Sequence, residues 1–452
     1  MRETIQIYHT NDLHSHLENW PTIHQFLSEK RALHETCLIL DIGDHIDRSN
    51  IFTEGTLGRG NVELLNEASY DYVTIGNNEG ITLSHEILEN LYMDANFEVI
   101  VSNFTNEKGE VPSWMVPYKI HQTSSGIRIG IIAATADFGF YYEKLGWHIQ
   151  NPINRLKEVC EEIKNKVDII LCMSHLGITQ DELISEQIPQ IDVIFGSHTH
   201  HFFEEGKMIN GTLQAAAGKY GAYVGQVTLV YDHDIKGIVT KKARLYPVEE
   251  LDKPVNYLEQ MELWNHIGNK NLGYPIFQNS IFLKKDWFHS SNMSDFFGKA
   301  LLAFTGADCA MFPAGIFLTD LPKGSINASD LHKLLPHPIN PCVISLTGAE
   351  LLETIQISKN ETWPRLEVKG LGFRGKYLGA MQFVELTEQE NGDVYVEGKI
   401  LQLEKTYTLA TLDMFTFGYF FPAFKFAKKQ YFMPEFIRDV MKWYGKQQES
   451  IT

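Results

Sequence analysis

Seven side chains able to ligate a cation follow short apolar runs in this chain. Asp12 and His14 follow Ile5–His9, Asp44 follows Cys37–Ile42, and Asn77 follows Tyr72–Ile75. His175 follows Asp168–Met173, and His198 and His200 follow Asp192–Phe195. One such residue after a strand is ordinary turn chemistry. The repetition of the pattern points to a single site. Mixed carboxylate and imidazole ligation suits manganese, zinc, iron or cobalt rather than calcium or copper. Seven ligands exceed one coordination shell that must keep a position open, whereas two divalent cations sharing the Asp44 carboxylate would use them all. Two such ions, roughly 3.5–4 Å apart, generate hydroxide and clamp the oxygens of an in-line phosphoryl displacement.

The elements that carry these residues alternate. Beside the runs above, Val99–Val101 and Arg128–Ala133 read as strands. Asn151–Lys166 reads as a helix, with Ile153, Leu156, Val159 and Ile163 at helical spacing and Asn151 as cap ahead of Pro152. Arg59–Ser69 reads as another. Strands alternating with helices predict a layered α/β domain, whose ligands gather beyond the carboxyl ends of the strands. The pattern changes after Tyr246, where Pro247, Pro254 and Pro275 punctuate a helical stretch, Val255–Ile267. The expected organisation is a first domain over 1–248, a linker with a helix over 249–279, and a second domain over 280–452. The second domain reads as α+β. Ser294 is expected to cap a helix over Asp295–Phe304, and Thr347 to Glu350 forms a capping box. Strands are expected at Pro341–Leu346, Met381–Leu386 and Val394–Glu397.

Composition narrows the function classes. A chain of 452 residues is too long for one ordinary core. The net charge of −18 argues against a nucleic-acid polymer or an anionic membrane as partner. It does not exclude a small anionic substrate, because bound divalent cations reverse the local field. The five cysteines form no CxxC pair, which suits a reducing compartment. Met1 to Thr4 runs straight into the first strand and leaves no room for a signal peptide. No apolar run reaches the ~20 residues that span a bilayer. A cytoplasmic location is expected.

The ordered set Asp12-Leu13-His14, Gly43-Asp44, Gly76-Asn77, Ser174-His175 and Gly196-Ser197-His198-Thr199-His200 resembles the calcineurin-like metallophosphoesterases. The opening His9-Thr10-Asn11-Asp12-Leu13-His14 resembles the bacterial 5′-nucleotidase and 2′,3′-cyclic phosphodiesterase branch. Pro341 to Leu351 resembles that branch's carboxy-terminal domain. The resemblance implies a four-layer β-sandwich flanked by helices, then a smaller α+β substrate-binding domain. It implies one metal held by Asp12, His14, Asp44 and His200, and another by Asp44, Asn77, His175 and His198. The activity it implies is metal-dependent hydrolysis of a small phosphate ester by a dimetal-bound hydroxide, with a nucleotide as the substrate class. Cyclic phosphodiesterase and nucleotide-sugar pyrophosphatase activity are related alternatives. A low-turnover metal- and nucleotide-binding protein is the alternative from another class.

Several residues depart from the pattern. The family's Gly-Asn-His-Glu-Phe-Asp becomes Gly76-Asn77-Asn78-Glu79-Gly80-Ile81, so Asn78 and Ile81 replace a catalytic histidine and its carboxylate partner. Such a histidine typically contributes ~10²–10⁴ in rate. Asn78 occupies the catalytic position, and His45, directly after Asp44, is the first candidate to replace the lost imidazole. His16 and His201 are weaker candidates. In the second domain Phe317 stands where an arginine would grip the substrate. Phe373, with Phe415 or Phe417, is expected to sandwich a base, and Arg374 to restore the cation. The run Phe415 to Phe426 has core as its competing reading.

Overall fold

The strand Arg2–Thr10 buries Ile5 and Ile7 on one face and lies inside a six-stranded sheet. The order is Gly237–Pro247, Tyr223–Asp232, Arg2–Thr10, Cys37–Asp41, Tyr72–Val73 and Glu98–Val99. The last four strands run parallel, and the first two form an antiparallel hairpin that completes the sheet. A second sheet has the order Lys207–Ile209, Thr212–Ala215, Val193–Gly196, Ile169–His175, Arg128–Thr135 and Tyr118–Gln122. Its four inner strands are parallel. This computed structural model describes residues 1–449.

The two sheets share one core. Ile7, Leu38 and Leu40 from the first pack with Ile129, Ile131, Leu171, Met173 and Phe195 from the second. Burial of each such side chain contributes about 1.5–3 kcal/mol. Helices cover the outer faces. Pro152–Ile163 lays Leu156, Val159, Cys160 and Ile163 against Ile132, Ile170 and Ile194. Its cap is Asn151, whose side chain accepts from Asn154 N at 3.0 Å. Across the molecule, the helix Trp20–Leu33 packs Phe26 edge-on against Tyr8. The result is the expected helix–sheet–sheet–helix layering.

The chain divides into two units, Met1–Gly268 and Asn269–Thr452, and the division falls inside the helix Tyr257–Asn271. The second unit has a five-stranded sheet ordered Met381–Val384, Cys309–Pro313, Thr406–Leu412, Pro341–Thr347 and Lys428–Tyr431. The helix Asn292–Thr305 packs Phe297 edge-on against Phe312. Its cap is Ser291 rather than Ser294, which sits at the third helical position and returns the bond to the Ser291 amide. The strand expected over Met381–Leu386 breaks at Glu385, whose φ of 54° ends the extended run. Among the described residues, no helix is long and apolar enough to cross a membrane.

Candidate metal centre

Parallel register brings the ligand-bearing loops together. Thr10 faces Asp41, and Asp41 faces Val73, so the loops after three strands leave the same edge of the first sheet. In the second sheet Ser174 faces Gly196, which places His175 and the 197–200 loop side by side. Backbone bonds then lock the first two loops. Asp12 N donates to Gly43 O at 3.0 Å, and His14 N to Asp44 O at 2.8 Å. The Asn11 carboxamide donates to Gly218 O and accepts from Ala217 N, which pins the Asp12 loop to a distant segment.

Glu79 joins the remaining loops. Its carboxylate accepts from Asp44 N at 3.0 Å, Ile46 N at 2.8 Å and Gly76 N at 2.8 Å. The loops approach so closely that a Cβ on Gly76 would lie 2.1 Å from Asp44 Oδ1. Asp12, His14, Asp44, His198 and His200 all have φ between 48° and 73°. A left-handed backbone in non-glycine residues is uncommon, and it gathers where function demands a side-chain direction.

The side chains converge as this backbone requires. Asp44 Oδ2 lies 3.6 Å from His14 Nε2 and 3.5 Å from His175 Nε2. Asp12 Oδ1 lies 3.8 Å from His14 Nε2 and 3.6 Å from His200 Nε2. The two imidazoles His14 and His200 meet with their Nε2 atoms 3.2 Å apart. Two groups compact enough for a cation result: Asp12, His14 and His200, and Asp12, Asp44 and His175. The ring of His198 stands 5.3 Å from that of His175. His175 Nδ1 donates to Ile42 O at 2.8 Å, which directs Nε2 into the cluster.

The cluster fits cations. His175 Nε2 and Asn77 Oδ1 are buried and lack hydrogen-bond partners among the described residues. Orphaned buried polar atoms call for an explanation, and a cation would give both a partner. A divalent cation there would supply Lewis acidity and acidify a bound water. The protein's own charges set the protonation of the cluster before a cation enters. Burial, aided by His175, lowers the His198 pKa to about 4, so its imidazole stays neutral. Burial alone would strip the proton from His175, but the Asp44 carboxylate outweighs it and pushes that pKa up to about 10. Burial and the Asp44 charge push Glu79 up to about 7.

The structure separates the remaining expected site residues. His45 is 2% exposed, lies edge-on to Trp20, and has its Nδ1 3.3 Å from Asn61 Nδ2. Shut away from solvent, it cannot meet an incoming ester, so it does not replace the family's histidine from this position. Asn78 is turned toward His14. Its Nδ2 stands 2.8 Å from His14 Nδ1 and 3.1 Å from Ile46 O, and its backbone N donates to Asp44 Oδ1 at 2.7 Å. It therefore orients His14 and Asp44. His201 Nδ1 pairs with Thr199 Oγ1, and His16 stacks on Tyr220 at 3.9 Å. In the second unit, Phe373 is buried and stacked on His337, and Phe415 is buried among Phe420 and Phe421. Neither can sandwich a base; both are core. Phe417 is exposed, and Arg374 is half-buried with Nη1 3.1 Å from Phe373 O. The sequence reading passed over Glu79 and Asn11. The available signal was a glutamate at the third position of a helix start, where a carboxylate can reach back to the amide that precedes the helix.

Three outcomes follow. Glu79→Ala leaves three backbone donors without an acceptor, at about 1 kcal/mol or more each. Urea unfolding should show a loss near 3 kcal/mol, with Glu79→Gln intermediate because one carbonyl oxygen remains. The second concerns pH in metal-free protein. The His175–Asp44 pair stabilises the fold fully below the unfolded histidine pKa of 6.5, and this contribution fades as pH rises through about 10. Unfolding free energy should fall between pH 7 and 10, and His175→Gln should flatten that dependence. Cation uptake must displace the same proton, so calorimetry in buffers of different ionisation heat should show proton release.

The calcineurin-like phosphoesterase pattern matches residues 5–202, and the 5′-nucleotidase C-terminal domain pattern matches residues 270–425. A Bacillus subtilis protein described as an uncharacterized metallophosphoesterase, YunD, is 41% identical, over 98% of this chain and 99% of its own length. Among solved structures, a putative 5′-nucleotidase from Staphylococcus aureus superposes with a TM-score of 0.72 at 17% identity, over 99% of this chain and 97% of that one. The NAD nucleotidase of Haemophilus influenzae superposes with a TM-score of 0.68 at 15% identity, over the same shares. The site, the two matched patterns and the full-length relative together establish that this chain belongs to the calcineurin-like metallophosphoesterases with a 5′-nucleotidase carboxy-terminal domain, and that it is a hydrolase.

Proposed function

We propose that this chain releases phosphate from nucleoside monophosphates with two divalent cations held by Asp12, His14, Asp44, Asn77, His175, His198 and His200. The observation that carries this reading is the double cluster built on Asp12, with His175 Nε2 and Asn77 Oδ1 left for a cation. The donor set of carboxylates, imidazoles and one amide suits manganese, zinc, iron or cobalt. The relatives named nucleotidases motivate the substrate class. The free cysteines, four of them buried and none bridged, suit a cytoplasmic setting. We assign the catalytic domain to 1–248, the linker to 249–279 and the substrate-binding domain to 280–452.

A second reading has its own observation. Asn78 faces His14 and His45 is buried, so neither offers a titrating proton to a leaving oxygen. A site without that acid favours leaving groups that depart as stable anions. Phosphoanhydrides of nucleotides, or 2′,3′-cyclic phosphodiesters, are then the better substrates.

The test is phosphate release by manganese-loaded protein across nucleoside monophosphates, cyclic nucleotides, nucleotide sugars and an aryl phosphate. Asp44→Asn should lower turnover by more than ~100-fold, since loss of even an outer partner of a ligand typically costs 10–100-fold. Turnover unchanged by Asp44→Asn would refute the mechanism. No turnover on any ester, in protein shown to hold two metals, would favour the binding-protein reading.

A further inference from the structure

The helix Ile178–Gln187 follows the His175 loop and carries a carboxylate, Asp181, that is 1% exposed. Burying a carboxylate is costly unless its oxygens are bonded. Asp181 Oδ1 accepts from Ser174 Oγ, and Ser174 immediately precedes His175. Asp181 Oδ2 is buried without a hydrogen-bond partner among the described residues and lies 3.9 Å from His201 Nε2. His201 immediately follows His200. One side chain thus stands between the residue before one candidate ligand and the residue after another.

The loop side of this contact is ordered toward it. Thr199 Oγ1 accepts from Ile178 N at 3.0 Å and lies 2.9 Å from His201 Nδ1. A hydroxyl that accepts from an amide still has its own proton to donate. Thr199 therefore donates to Nδ1, and this order assigns the proton of His201 to Nε2, on the side of Asp181. The donors run one way, from the start of the helix through Thr199 and His201 to the carboxylate. Space is kept for the last link: a Cβ on Gly196 would lie 2.5 Å from Asp181 Oδ2 and 3.0 Å from His201 Nε2. The helix is also held from behind. Ser185 Oγ donates to Asp181 O at 3.0 Å and accepts from Gln214 Nε2 at 2.8 Å, on the strand Thr212–Ala215.

The spacing of the two loops matters to a cation. Imidazole nitrogens ligate zinc at about 2.0–2.1 Å, and a binding constellation must be held to within about 0.5 Å. Sheet register sets Ser174 opposite Gly196 and stops there. Beyond it the chain turns left-handed, with φ at 73° in His198 and 57° in His200. That stretch needs a hold from outside the ladder.

We propose that Asp181 is a positioning residue for the metal centre, which sets the His175 loop and the 197–200 loop at ligating distance through Ser174 and His201. The assignment rests on the two-cation reading above. The 3.9 Å gap to His201 is about 1 Å longer than a hydrogen bond, so the last link forms as the ligands close. Asp181 does with side chains in the second sheet what Glu79 does with backbone amides in the first.

The test is calorimetric titration of cobalt(II) into the full chain freed of metal, with the visible absorption of the bound ion as a second readout of its coordination. Asp181→Ala should weaken cobalt(II) binding about 10–100-fold, as loss of an outer partner of a ligand does, and shift the absorption bands. Asp181→Asn, which still accepts from Ser174, should lose less. Ser174→Ala cuts the same link from the other side and should also weaken binding. Ile184→Val alters the same helix where it packs into the outer core, and should leave affinity and bands as in the parent. Parent-like affinity and bands in Asp181→Ala would overturn the assignment. Where that variant does not fold, the same result in both Asp181→Asn and Ser174→Ala would overturn it. So would equal losses in Ile184→Val, which would reduce the effect to helix stability, and so would failure of the parent to bind cobalt(II). Phosphate release is read separately. Weakened cobalt(II) binding in the Asp181 variants of a parent that hydrolyses no ester would sustain the positioning role and sink the nucleotidase reading. Hydrolysis of nucleoside monophosphates by the parent, with cobalt(II) binding unaltered in the variants, would do the reverse.

Discussion

Three backbone amides from two loops converge on one buried carboxylate, Glu79, and the cluster depends on that convergence. A loop that must aim Asp44 with φ at 52° cannot satisfy its own amides through a regular ladder. Glu79 satisfies them from the neighbouring loop and ties the position of Asp44 to that of Asn77. The cost is a carboxylate buried beside Asp44, which shows in its raised pKa. A helix-start carboxylate that usually caps only its own helix here also caps a foreign loop.

Much of the first unit could be read from residue patterns alone. Buried parallel strands are continuous apolar runs such as Cys37–Asp41 and Ile169–His175, and their ends carry polar residues that stand out. The clustered carboxylates and imidazoles stood out for the same reason, since loops at strand ends show their chemistry in sequence. What escaped was set by tertiary contact. The hairpin Tyr223–Asp232 and Gly237–Pro247 lies at a sheet edge, where the outer strand mixes lysines and arginine with apolar residues and loses its alternation. His45 follows a ligand in sequence, but the turn at Asp44 sends its ring inward to Trp20.

The second unit was less legible because aromatic residues serve cores and ligands alike. Phe373 and Phe415 sit in motif-like stretches, yet burial against His337 and Phe421 occupies their faces.

The centre joins both sheets through His175, whose Nδ1 reaches the Ile42 carbonyl of the first sheet while its Nε2 faces Asp44. Ser197 and the amide of His198 likewise close on Asp12, across 185 and 186 residues of chain. No fragment that ends before the 197–200 loop holds all seven candidate ligands. During synthesis the amino-terminal third therefore leaves the ribosome with only part of a coordination shell, chiefly Asp12, His14, Asp44 and Asn77. Such a fragment holds one of the four candidate imidazoles, His14, and lacks His175, His198 and His200. If the seven residues hold two cations as proposed, that pair can be complete only once the second sheet has brought His175, His198 and His200 to the loops of the first.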